Sequence, residues 1–120
     1  MNIDPVKYTL IAWQGKTFEK TFYLKDSDDN IILLDGYTGR MQVRPSIESE
    51  EVIFDLDEIN GGIIINDDDG SVTIYISDED TEVVEVGTYK YDLELVSAGG
   101  RVYCPIYGSF KVKGEVTRSA

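Results

Sequence analysis

The sequence predicts an all-β fold, an antiparallel β-sandwich of about eight or nine strands with one short helical turn near residues 77–83. Three observations predict it. Short runs rich in Ile, Val, Tyr, Phe and Thr are punctuated throughout by glycines and Asp/Asn clusters. No window of helical length carries an apolar stripe of period 3.6. After Gly87, residues Tyr89, Tyr91, Leu93 and Leu95 alternate with Lys90, Asp92 and Glu94. That period of two suits a strand with one face buried and one wet.

The elements follow in order. Tyr8–Trp13 is the first strand, closed by a turn at Gln14-Gly15. Lys16–Lys25 is the second, with Phe18, Lys20, Phe22 and Leu24 on one face. Lys20 interrupts that face, so it is expected either to leave only the strand ends buried or to snorkel. Asp26–Asn30 is a polar turn, Ile31–Leu34 a short apolar run, and Asp35-Gly36 a stop. Thr38–Arg44 alternates cleanly, and Pro45 ends it for want of an amide donor. A polar loop over Ser46–Glu51 leads to a strand at Val52–Leu56, then a turn at Asn60–Gly62. Ile63–Ile65 and Val72–Ile76 form a hairpin across Asn66–Gly70. Ser77 is placed to cap a helical turn, with Asp80 three residues on, as a crossover between sheets. The strand from Thr88 turns at Ser97–Gly100. Two closing strands, Arg101–Cys104 and Ile106–Val116, follow, with bends or bulges at Gly108 and Gly114.

The Gly-x-Tyr step into the Tyr89 strand resembles the tyrosine corner of immunoglobulin-like sandwiches. With the crossover and unequal strand lengths, it favours Greek-key wiring over a closed barrel. Cys104 is the single cysteine, so such a sandwich must hold by packing without an internal disulfide. The expected core includes Phe18, Phe22, Met41, Val43, Ile74, Tyr89, Leu93 and Phe110.

The 120 residues, 42% hydrophobic, fit one domain over 1–120, with 1–6 a flexible N-terminal segment. No apolar run approaches the roughly 20 residues that cross a bilayer. Residues Met1–Pro5 lack the features of a secretory signal, so synthesis in a cytoplasm is expected. The net charge of −12 disfavours nucleic acid and anionic membrane as partners; it suits solubility, or a cationic protein surface.

Histidine is absent, which removes Ser-His-Asp and Cys-His catalysis and the commonest zinc ligand. Phosphate-cradling glycine motifs are also absent. Cys104 has no histidine to activate it and reads as a small half-buried strand residue. The Asp26–Asn30 loop starts like an EF-hand, but Ile31 stands where glycine is required and Tyr37 where the bidentate glutamate is required. A looser calcium site would draw on Asp26, Asp28, Asp67, Asp68 and Asp69; the plainer reading is acidic turn residues kept wet. A glycosidase carboxylate pair is disfavoured, because most acids fall in turns. No catalytic or cofactor-binding residue is assigned. Tyr23, Tyr75 and Tyr103 are the interface candidates, because each faces away from apolar neighbours. Trp13 reads as a core plug rather than a ligand platform.

Several segments taken together carry a resemblance. They are Gln14–Phe18, Leu33–Arg44, Asn60–Ile63, Gly70–Ile74, Gly87–Leu95, Gly108–Val112 and Glu115–Arg118. The chain from about Trp13 to Arg118 resembles small tailed-bacteriophage virion proteins with an immunoglobulin-like β-sandwich. It is similar to the N-terminal domain of phage baseplate upper proteins and to tail or fibre-attachment modules. Asp35 stands where threonine is common in that pattern. The resemblance implies a virion structural protein without catalytic residues, acting as an assembly adaptor or decoration subunit at the tail, baseplate or fibre attachment. Its implied partners are other virion proteins, or further copies of itself in a symmetric assembly. The alternatives are a head decoration protein of the capsid and, in another class, a host-surface carbohydrate-binding module.

Overall fold

Residues 5–117 are described by a computed structural model. Among them, nine strands and one helix of five residues run in the order β1 (Val6–Lys7), β2 (Leu10–Trp13), β3 (Phe18–Tyr23), β4 (Thr38–Arg44), β5 (Phe54–Asp57), β6 (Ile63–Asn66), β7 (Ser71–Ile76), α1 (Asp78–Glu82), β8 (Gly87–Val96) and β9 (Val102–Lys113). The larger sheet has the order β1-β9-β8-β4-β5, with β2 also on β9; the smaller has the order β3-β7-β6. All pairs are antiparallel except β1 and β2, which run parallel to β9.

The alternation read in the sequence is what packs the two sheets. Met41 and Val43 of β4, Tyr91, Leu93 and Leu95 of β8, and Phe110 and Val112 of β9 point inward from the larger sheet. Phe18, Val72, Ile74, Ile76 and Ile63 meet them from the smaller one. Phe110 is the hub, with its ring centroid 5.4 Å from Phe18, 5.8 Å from Phe54 and 6.5 Å from Tyr91. Phe22 and Tyr89, expected in the core, are partly buried and pack against its rim. Gly39 lets the sheets approach in β4: a Cβ there would lie 2.6 Å from Ile63 Cγ2.

The helical turn sits where the capping pattern placed it. Ser77 accepts from the Asp80 amide at 3.2 Å, and α1 carries the chain from the smaller sheet to the larger. At the entry to β8, the Tyr89 hydroxyl donates to the Glu85 carbonyl at 2.6 Å. That is the tyrosine corner. Two residues on, at the place of the disulfide cysteine in antibody domains, stands Tyr91; its hydroxyl donates to the Tyr8 carbonyl at 2.7 Å.

Several boundaries differ from the sequence expectation. The two closing strands are one, because Pro105 occupies a bulge: β8 advances from Leu93 to Leu95 while β9 goes from Ile106 to Tyr103. A residue in a bulge needs no ladder donor, so proline is tolerated. The strand expected from Val52 begins at Phe54. The N-terminal segment is structured from Val6, which pairs with Ile106; residues 1–4 lie outside the described residues. The strand expected over Tyr8–Trp13 is the shorter β2, Leu10–Trp13, with the separate β1 before it, and Trp13 is on the outer face rather than plugging the core.

Candidate functional site

The acidic turns hold themselves together. Asp26 Oδ1 accepts from the amides of Asp28 (2.9 Å) and Asn30 (3.0 Å), and Asp69 Oδ1 accepts from Ser71 (3.0 Å). These are Asx-type contacts that shape the loops. Among the described residues, no three His, Cys, Asp or Glu side chains converge as a metal site would require. Cys104 is half-buried, and its Sγ lies 3.5 Å from the Ile106 carbonyl. Burial, followed by the Asp92 and Glu94 carboxylates, pushes its thiol pKa above the ordinary value. That is the opposite of what activates a nucleophile.

Two hollows among the described residues are shallow and lack a converging catalytic group. One of about 560 Å³ and one of about 500 Å³ meet along Ile53, Val83 and Val84, between the loop after β4 and the end of α1. What the molecule offers instead is two flat sheet faces.

The outer face of β3-β7-β6 carries two of the three candidate tyrosines. Register places Tyr23 beside Ser71, Thr21 beside Thr73, and Glu19 beside Tyr75, with Ile64 next to Thr73 on the far strand. Tyr23 is 65% exposed, Ile64 53% and Tyr75 38%. The Thr21 and Thr73 hydroxyls hydrogen-bond across the centre at 2.8 Å. Glu19 is the only formal charge among the outward residues of these three strands. Tyr103 is elsewhere: it is half-buried at the other sheet, its ring 6.4 Å from that of Tyr37. Burial and then Tyr103 raise the Tyr37 phenol above its ordinary pKa.

The second face belongs to β1, β2, β9 and β8, and sequence reasoning did not find it. Parallel pairing sets Ile11 beside Lys111 and Trp13 beside Lys113, residues 100 apart in the chain. Lys7 adjoins Tyr107, and Lys90 adjoins Ser109. The available signal was the equal apolarity of Leu10/Ala12 and Ile11/Trp13, which marks a strand with both faces in use.

The strand order β9-β8-β4-β5 opposite β3-β7-β6, with the tyrosine corner, defines the class: an immunoglobulin-like β-sandwich with an extra strand on the larger sheet, as in variable-type domains. Among solved structures, the chain is similar to a crystal structure of a chicken TCR, with a TM-score of 0.54 and 11% identity over 96% of this chain. It spans 57% of the length of that TCR chain, and the likeness concerns the fold alone. No family model and no curated protein matches the chain.

Proposed function

We propose that this chain is a structural protein of a bacteriophage particle, an assembly adaptor or decoration subunit at the tail, baseplate or fibre attachment. It works by docking on other virion proteins. The observation that carries the reading is the outer face of β3-β7-β6. A chain of net charge −12 keeps one sheet face nearly free of charge and sets Tyr23, Ile64 and Tyr75 on it. Depletion of charge and enrichment in tyrosine mark the buried centre of protein interfaces. The free edges of β3 and β6 add unpaired backbone donors and acceptors for strand pairing with a neighbour. The resemblance of Leu33–Arg44 and Gly87–Leu95 to phage sandwich modules supplies the virion context.

Mass spectrometry of purified particles tests the proposal. The chain is expected at a copy number fixed relative to the other structural proteins. Its presence in the host lysate and absence from intact particles would sink the reading. Labelled antibody on imaged particles then places it at the tail, as proposed, or on the head. The variant Tyr23→Glu/Tyr75→Glu, altered at exposed positions, is expected to fold and to be missing from particles.

A further inference from the structure

The face formed by β1, β2, β9 and the first half of β8 is the most unusual surface of this acidic molecule. Lys111 and Lys113 adjoin the exposed Ile11 and Trp13 (46% and 48% exposed), and Lys7 and Lys90 lie further along the same face. Asp92, beside Tyr107, stands at its border. Among the described residues, ion pairs engage Lys16, Lys25 and Arg40, none of these four. Lys90 Nζ lies 3.1 Å from Ser109 Oγ, and Lys113 Nζ sits 5.9 Å from the centre of the Trp13 ring. A groove of about 450 Å³, lined by Lys7, Ile47, Lys90, Asp92 and Tyr107 among others, continues the face.

The complement of that face is present on the same chain. Leu24 donates to the Gly70 carbonyl at 2.9 Å, which joins the turn after β3 to the turn before β7. This apex collects Asp26, Asp28, Asp29, Asp67, Asp68 and Asp69, with Lys25 paired to Asp29. Beside the carboxylates, Ile31 and Leu33 are exposed. The apex therefore offers apolar side chains with an acidic surround; the face offers apolar side chains with a basic one.

We infer that the lysine-bearing face receives the acidic apex of a second copy of this chain, in a head-to-tail contact. Geometry requires two copies. The apex lies at the Tyr23/Ser71 end of the smaller sheet, whereas Trp13 and Lys113 lie by the turn that enters β3 at Phe18. A two-fold contact through the basic face alone would set lysines against lysines. The contact is accordingly heterologous, and its repetition closes a ring or extends a row. It acts at short range: the overall charge of −12 repels copies at long range, and the Debye length is about 8 Å at 0.15 M salt. This inference stands apart from the virion reading.

Sedimentation velocity of the full chain at 0.15 M salt, up to about millimolar concentration, tests it. Wild type is expected to associate, with a shift in the emission of Trp13, the single tryptophan. Raising salt to about 1 M should weaken the association. K111E/K113E, with a broken face, and D67K/D68K, with a broken apex, should each require at least tenfold more protein to associate. Mixed together, the two variants should form a dimer that grows no further, because each retains the half that the other lacks. Circular dichroism checks that both are folded; if either is not, W13A and D68N replace them. A wild type that stays monomeric throughout overturns the inference and leaves the face to a different partner. Association untouched by either variant, or mixed variants that fail to pair, also overturns it.

Discussion

Tyr91→Phe removes one oxygen and tests what holds a disulfide-free sandwich together. The Tyr91 ring is buried against Phe110, and its hydroxyl donates to the Tyr8 carbonyl at 2.7 Å, fastening the segment between β1 and β2 to β8. A buried neutral hydrogen bond contributes about 1 kcal/mol net. For a domain of this size that corresponds to a Tm about 4 °C lower at neutral pH. Burial, then Tyr8 and Cys104, raises the Tyr91 phenol well above its ordinary pKa of 10.0. Above pH 10 the unfolded chain releases this proton while the folded chain keeps it. The folded state then binds more protons, so stability falls as pH rises, by about 1.4 kcal/mol per pH unit for one such group. The stability that Tyr91 contributes is full below pH 10 and is lost as pH climbs toward the raised value. Phenylalanine has no proton to lose. Urea unfolding from pH 7 to 11, followed by far-ultraviolet circular dichroism, should show the variant about 1 kcal/mol below wild type at pH 7. The two should converge near pH 11. Curves that stay parallel across this range would refute the assignment of the alkaline loss to Tyr91; equal stability at pH 7 would refute the role of its hydrogen bond.

Phe110→Ala leaves a cavity among Phe18, Phe54 and Tyr91 and should cost about 3–5 kcal/mol, read as a Tm more than about 10 °C lower or as loss of the cooperative transition. Gly39→Ala drives a methyl group onto the buried Ile63 and should destabilise by about 1–3 kcal/mol in urea titration, with far-ultraviolet signal unchanged. Cys104, its thiol pKa raised by burial and by Asp92 and Glu94, should react with a disulfide reagent at pH 8 at least tenfold more slowly than a small free thiol; a faster reaction would contradict the half-buried site.

Much of the fold was legible because local rules and tertiary contacts agree. Thr38–Arg44 starts and stops where alternation and Pro45 say, and Ser77 caps the helix its spacing announced. The Gly87 step led to the tyrosine corner. What was not legible depends on partners remote in sequence. The phase of Leu10–Trp13 is ambiguous, since both faces are apolar, and only pairing with β9 decides that Leu10 and Ala12 go in. Trp13 was misassigned for that reason. The expectation of two closing strands, Arg101–Cys104 and Ile106–Val116, fails because the bulge opposite Leu93 and Leu95 lets β9 run through Pro105 without a ladder donor there. For the candidate site, alternation placed Tyr23 and Tyr75 outward, whereas the half-burial of Tyr103 follows from Tyr37, distant in the chain.

The seam between the sheets shows how the fold dispenses with a disulfide. Three inward side chains of β3 reach β9 of the larger sheet and Tyr8 beside it. Phe18 meets Phe110 at 5.4 Å, Phe22 meets Tyr8 edge-on at 5.3 Å, and Lys20 Nζ lies 5.4 Å and 5.8 Å from the rings of Tyr8 and Phe22. Lys20 thus lies over two aromatic rings instead of interrupting the strand's buried face, which is why an apparently broken alternation still packs. Each aromatic pair contributes about 0.5–1.5 kcal/mol beyond area burial, and a part-desolvated cation–π contact about 0.5–2 kcal/mol. The three together come to about 1.5–5 kcal/mol, the range of a native disulfide in a small domain. The mechanisms differ. A disulfide acts chiefly on the unfolded chain in the loop-entropy account, and independently of its neighbours; these contacts act on the folded state, and the Phe22 and Lys20 contacts share Tyr8. Loss of Tyr8 should therefore remove the Lys20 and Phe22 contacts together, so Tyr8→Ala and Lys20→Met combined should destabilise less than the sum of the two. Strict additivity in that double-mutant cycle would show that Lys20 is held by something other than these rings.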